Sequence, residues 1–349
     1  MLIVLAGLPG AGKSAVAEDL GRALGCAVLA VDPAEAAMWR AGVRPPQPSH
    51  HAAYIIVEVI AAEQIALGHD VIVDAVNGPE EAREQWRQLA ARLGVRLLFV
   101  EVVCSDDAVH RDRLAHRHRR IDGFPEPTWE GVLQRRATFP PWTGDRLTLD
   151  TVRSREANIR RVLARLDRQR VPADGNAGVL VALAGLPGSG KSAVAEDLGG
   201  ALGCAVLSVD PVEAAMWRAG VSKTEPTGLA AYIVVEALAE EQIAFGHTVI
   251  IDAVNSVEPA RGQWRALGQR LGVRLAFIEV ACSDADVHRR RLAGRRRDIA
   301  GFYEPDWSDV QERQKEFAVW TDARLSLDSM ADRECNLRLA LEYLGSPAR

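Results

Sequence analysis

Short runs of uninterrupted apolar residues alternate along this chain with longer segments in which apolar positions recur every three or four residues. In the first half the runs lie near 2–6, 27–31, 70–74, 95–103 and 147–149. The segments of helical period lie near 13–24, 33–41, 51–67, 79–93, 106–119, 128–139 and 153–167. Four or five apolar residues bounded by glycine or polar positions suit a strand buried on both faces. Their regular alternation with helices predicts an α/β fold, a parallel sheet covered by helices on both sides. In such sheets ligands gather at the carboxyl ends of the strands.

The whole pattern is written twice. Gly7, Lys13, Asp74, Trp142 and Asp150 recur as Gly185, Lys191, Asp252, Trp320 and Asp328, a constant offset of 178 residues. A repeat of this length is a duplicated domain rather than a solenoid unit. Residues 168–178, RQRVPADGNAG, carry one proline, two glycines and no apolar period, so they read as a linker between domains spanning 1–167 and 179–349.

Each half opens on the same chemistry. LIVLAGLPGAGKS ends at Ser14 and LVALAGLPGSGKS at Ser192, each followed by the helical AVAEDL. Gly7, Gly10 and Gly12, and Gly185, Gly188 and Gly190, let backbone N–H groups curl around phosphate oxygens at a helix start. Lys13 and Lys191 are placed to reach the β- and γ-phosphates, and Ser14 and Ser192 to offer a hydroxyl to Mg²⁺. Strand before and helix after are the context this P-loop requires, so the expected reaction class is phosphoryl transfer from a nucleotide.

Acidic residues close the next two strands. Asp32 and Asp210 end the second, where a carboxylate faces the phosphates and suits a general base for an attacking hydroxyl. Asp-Pro-x-Glu is also a helix start, with Asp32 as cap, Pro33 at the first position and Glu35 reaching back; both readings stand. Asp74 and Asp252 end the third strand, like the strand whose acid holds Mg²⁺ in P-loop enzymes; a solvated strand-end aspartate is the plainer reading. Asn77 and Asn255 suit either a cap of the next helix or a contact to substrate.

A basic helical segment follows the fourth strand in both halves. Arg113 and Arg117, and likewise Arg291 and Arg295, are four residues apart and share a helix face, as donors to a common phosphoryl anion would. A solvated basic helix is the plainer reading. His110 reads as structural, and Trp39, Tyr54, Trp86 and Trp142 as packing, with one or two walling a pocket. After the helix of Asp32 the halves diverge, residues 43–51 against 221–229. This stretch is expected beside Asp32 or Asp210, where an acceptor enters.

Composition narrows the partners. Charges cancel through Asp174, and the net charge of −5 falls in the remainder. Neither half has the positive excess of a protein that tracks a phosphate backbone, which speaks against nucleic acid. The 5 cysteines form no Cys-x-x-Cys pair and read as reduced. The opening MLIVLAG lacks the basic flank and length of a signal peptide, and no apolar run reaches membrane length. The expected compartment is the cytoplasm, and the expected state a monomer with two pseudo-symmetric modules.

Together the two GLPG(A/S)GKS loops, the aspartate after the second strand, the third-strand Asp-x-x-Asn and the Arg-Leu-x-x-Arg of the basic helix resemble a known group. These are the P-loop kinases of the zeta-toxin, chloramphenicol phosphotransferase and polynucleotide-kinase type, often labelled AAA-type ATPase domains. The resemblance implies a five-stranded parallel sheet in the order 2-3-1-4-5, a helical lid, ATP with Mg²⁺, Asp32 and Asp210 as bases, and lid arginines. Val76 and Val254 replace the group's frequent threonine, and no arginine follows Asp32 as in polynucleotide kinases. The leading expectation is an ATP-dependent kinase with two sites for a hydroxyl of a small molecule. The alternatives are an ATP-driven switch acting on a protein and a nucleic-acid 5′-end kinase.

Overall fold

The computed structural model describes residues 1–116, 126–140, 142, 144–171, 178–294, 305–317 and 320–345. The first module contains β1 (Leu2–Ala6), α1 (Lys13–Leu24), β2 (Ala27–Ala30), α2 (Val31–Arg40), α3 (Ser49–Ala66) and β3 (Val71–Asp74). It continues with α4 (Glu80–Leu93), β4 (Leu97–Val103), α5 (Asp107–Ala115), α6 (Trp129–Thr138), β5 (Leu147–Asp150) and α7 (Arg155–Leu166). The second module repeats these as β6 (Leu180–Ala184), α8 (Lys191–Leu202), β7 (Ala205–Ser208), α9 (Val209–Arg218), α10 (Thr227–Ala244) and β8 (Val249–Asp252). Then follow α11 (Glu258–Leu271), β9 (Leu275–Ala281), α12 (Ala285–Gly294), α13 (Trp307–Glu316), β10 (Arg324–Asp328) and α14 (Arg333–Leu344). Of the expected linker, residues 172–177 lie outside the described residues.

Both sheets are parallel, in the orders β2-β3-β1-β4-β5 and β7-β8-β6-β9-β10. This is the α/β architecture of two tandem P-loop domains that the sequence predicts. The central strands are apolar throughout because both faces are covered. Ile3 and Leu5 pack with Val16 and Leu20 of α1 and Ile159 of α7, while Leu2 and Val4 point to the opposite side.

On that opposite side the two modules share one core. Leu2, Val4, Met38, Ile56 and Ile60 of the first module join Leu180, Met216, Val234 and Leu238 of the second in one apolar cluster. Helix α3 packs on α9, and α10 on α2. This explains why α3 is apolar around most of its circumference, with Ala52, Ala53, Ile56, Val57, Ile60, Ala61 and Ile65 all buried: a helix apolar on every side is a buried one. Among the described residues no helix is long and apolar enough to cross a membrane.

Candidate active site

β1 hands over to the P-loop at Gly7, whose φ is 148° and where a Cβ would lie 2.2 Å from the Val102 carbonyl oxygen. Only glycine allows the loop so close to β4. At the far end Gly12, φ 96°, is the N-cap of α1 and supplies no side-chain cap, so the first-turn N–H groups and the positive helix end face the loop. Gly10 and, in the second module, Gly185, Gly188 and Gly190 have the same positive φ.

The lysines that follow are both buried. Lys13 Nζ donates to the Leu8 carbonyl at 3.2 Å, whereas Lys191 Nζ forms an ion pair with Asp252. The pairing follows from the sheet: Asp74 and Asp252 end the strands beside β1 and β6, in register with Leu5 and Leu183. Asp74 is 5% exposed and its Oδ1 has no hydrogen-bond partner. A buried, unsatisfied carboxylate oxygen at the end of the strand beside β1 is suited to a hard cation. Among the described residues no group of three or more His, Cys, Asp or Glu is arranged to hold a metal. A cation here would therefore take further oxygens from phosphate and water.

Asp32 stands across a cavity of about 870 Å³ whose wall also includes Lys13, Glu35, Trp39, His50 and Tyr54. The capping reading of Asp32 is corrected. Helix α2 starts directly off β2 with Ala30 as N-cap, so Asp32 lies inside the first turn, and no side chain caps the helix. α9 repeats this with Ser208 as N-cap. Glu35 likewise does not reach back. Its Oε1 accepts from Ser49 Oγ at 3.2 Å, its Oε2 meets His50 Nδ1 at 2.9 Å, and Ser49 Oγ accepts from Trp39 Nε1 at 2.8 Å. The bond to Glu35 raises the pKa of His50 above its ordinary value. Burial pushes the Tyr54 hydroxyl up to about 12, so it is a neutral wall.

The divergent stretch splits in two. His50 lines the cavity and Ser49 is buried behind Glu35, but Gln47 faces the other module, donating to Glu225 Oε1 at 3.0 Å and accepting from the Ser222 N–H at 3.2 Å. Much of the remaining wall is α6 and its flanks, with Glu126, Thr128, Gly131, Gln134, Arg135 and Phe139, and the segment from Val76 to Glu81 adds to it.

Helix α5 braces the loop from outside. His110 is buried, with Nε2 2.8 Å from the Pro9 carbonyl and its ring edge-on to Trp129. Arg113 donates to Thr151 Oγ1 at 2.7 Å and to its carbonyl at 3.0 Å, and Thr151 Oγ1 donates to the Ala11 carbonyl at 2.8 Å. Arg291 makes the same bonds to Ser329. It also lines a cavity of about 220 Å³ with Gly188, Gly190, Lys191, Ser192 and Asp210. Arg117 and Arg295 lie outside the described residues.

Asn77 does neither of the things its sequence position suggested. It is buried at φ 47°, donates to the Leu5 carbonyl at 2.7 Å and accepts from Trp86 Nε1 at 2.9 Å. Asn255 and Trp264 repeat this contact. A left-handed turn locked to β1 is its structural task. Sequence reading took Glu35 only as part of a helix start and missed it as a cavity residue, whereas His50 falls in the stretch expected beside Asp32. Asp32 and Glu35 are three apart on one helix face, a signal that was there to use.

The AAA domain family matches residues 2–139 and again 180–316. No curated protein matches the chain in sequence. Among solved structures, an APS kinase of Mycobacterium tuberculosis with AMPPNP and APS is 20% identical, with TM-score 0.37, over 49% of this chain and 99% of its own. A gluconokinase of Sinorhizobium meliloti is 19% identical, with TM-score 0.35, over 49% and 93%. Kti12 of Chaetomium thermophilum with ADP-AlF3 is 18% identical, with TM-score 0.38, over 48% and 97%. With its two P-loops, two matching sheets and two matched segments, this chain belongs to the AAA domain family as a tandem pair of P-loop kinase-like domains.

Proposed function

We propose that the chain is an ATP-dependent phosphotransferase that moves the γ-phosphate of ATP to a hydroxyl of a small molecule, at one site in each module. The observation that supports this most is that one cavity is lined by both the P-loop lysine Lys13 and the strand-end carboxylate Asp32. Its volume lies within the range of about 300–1,000 Å³ usual for small-molecule sites.

In this reading the N–H groups of the P-loop and of the first turn of α1 or α8 bind the phosphates, and Lys13 or Lys191 neutralises charge on the β- and γ-groups. Ser14 with Asp74, and Ser192 with Asp252, hold Mg²⁺, which when bound supplies charge neutralisation at the phosphates. Arg113 and Arg291 add positive charge beside the loop, and Arg117 and Arg295 belong to the same proposed set. Asp32 or Asp210 accepts the acceptor's proton as its oxygen bonds the γ-phosphorus. The bond from that phosphorus to the β–γ bridging oxygen breaks, and ADP leaves.

The test is a metabolite-library incubation with the full chain and ATP, read by mass spectrometry for a gain of one phosphate. A phosphorylated hydroxyl compound and acceptor-dependent ATP consumption are expected. Hydrolysis that no acceptor stimulates would replace this reading with the switch.

A further inference from the structure

The two modules treat one carboxylate of the helix after the second strand differently: Glu35 is buried and Glu213 half-buried. In the first, Glu35 is 6% exposed and its Oε2 lies 2.9 Å from His50 Nδ1, an ion pair when the imidazole is protonated. In the second, Glu213 stands at the same place and accepts from Thr227 Oγ1 at 2.8 Å, as Glu35 does from Ser49. The residue matching His50, however, is Gly228. Among the described residues Glu213 forms no ion pair. A Cβ built on Gly228 would lie 3.5 Å from Glu213 Oε1, so the glycine stands against the carboxylate without supplying the imidazole that flanks Glu35. Burial pushes the Glu213 carboxyl up, and a cation placed beside it would oppose that shift.

The facing helix has changed in the same sense. Thr128, Gly131 and Gln134 wall the first cavity, and their counterparts at the start and along α13 are Asp306, Asp309 and Glu312. Arg313, the counterpart of the cavity residue Arg135, lies near enough to Glu213 and Tyr232 to affect both, so α13 faces the acceptor side as α6 does. Asp306 and Asp309 cap α13 reciprocally, and the Ser308 hydroxyl and the Asp309 N–H hold the Asp306 carboxyl below the usual range. At these three positions the second module carries carboxylates where the first has none, although Glu81 and Glu126 also line the first cavity, and the second module lacks the histidine.

We infer that the second module phosphorylates a hydroxyl compound carrying an ammonium group, an amino alcohol or amino sugar, whose nitrogen takes the place of His50 against Glu213. The first module, its carboxylate already paired, takes an acceptor without that group. This rests on the phosphotransferase reading and specifies the acceptor class at its second site.

The experiment uses the full chain silenced at one site by Lys13→Ala or at the other by Lys191→Ala. Each form is given ATP and matched pairs of compounds, an amino sugar or amino alcohol beside its counterpart without the amine. Products are read by mass spectrometry. The Lys13→Ala form is expected to favour the amine by about 10–100-fold in kcat/KM, the range of a hydrogen bond to a charged group, and the Lys191→Ala form to show no such preference. Adding Gly228→His to the Lys13→Ala form should remove the preference. Nucleotide binding at the second site reports whether that variant is folded, and His50→Gly in the Lys191→Ala form, which should create the preference, tests the same contact from the other side. Equal use of both compounds by the Lys13→Ala form, a preference for the amine-free one, or product from the first site alone would overturn the inference. Product from neither site would overturn the phosphotransferase reading beneath it.

Discussion

The side chain of Gln64 behaves as an extra strand for Val206 of the other module. Its amide oxygen accepts from the Val206 N–H at 3.0 Å and its nitrogen donates to the Val206 carbonyl at 2.6 Å. Gln242 makes the reciprocal pair with Val28. Val28 and Val206 lie on β2 and β7, the outermost strands of their sheets, whose outer backbone groups would otherwise be buried without partners.

Gln64→Ala should leave both groups of Val206 unsatisfied and destabilise the chain by about 1–3 kcal/mol. The measurement is the urea midpoint together with hydrogen exchange at the Val206 amide, which should lose protection. Unchanged exchange at that amide would show that the glutamine is only a packing residue. Gln242→Ala should do the same at Val28.

Because the modules share a core, the P-loop lysines are best tested in the intact chain. Lys13→Ala and Lys191→Ala should each remove the ATP turnover of their own site, and the double variant should have none. Turnover by the double variant would remove the P-loops from the reaction.

Asp32→Asn in the Lys191→Ala background should keep nucleotide binding and lose transfer by roughly 10²–10⁴-fold, the span of general-base contributions. Since Asp32 does not cap α2, stability should change little. Near-normal transfer by this variant would exclude Asp32 as the base.

The His50–Glu35 contact should make stability depend on pH. A histidine whose folded pKa is raised contributes stability that is fully present below its ordinary value near 6.5 and is lost as pH rises through the folded value. The difference in melting temperature between the unsubstituted chain and His50→Gln should therefore shrink as pH is raised through that window. A difference constant across it would mean that the imidazole contributes by packing alone.

The apolar runs and helical periods of the sequence determined the strands, the helices and the duplication, because both depend on local period and on which residues can be buried. They also determined the P-loops, where a strand, glycines of positive φ and a helix start are contiguous in the chain. Helix α2 was legible to within two residues, yet that small difference moved Asp32 from the cap into the first turn. What no local pattern contains is pairing across long separations. Asn77 looked like a cap or a substrate contact, and only the approach of Leu5, 72 residues away, and of Trp86 made it a structural bridge. Gln64 is an unremarkable polar residue on an apolar helix until β7 is placed beside it, 142 residues on. The acceptor wall is of the same kind. Asp32, Glu35, His50 and the residues of α6 enclose one cavity because α2, α3 and α6 converge at one sheet edge, and that convergence is decided by packing in three dimensions rather than by any spacing along the chain.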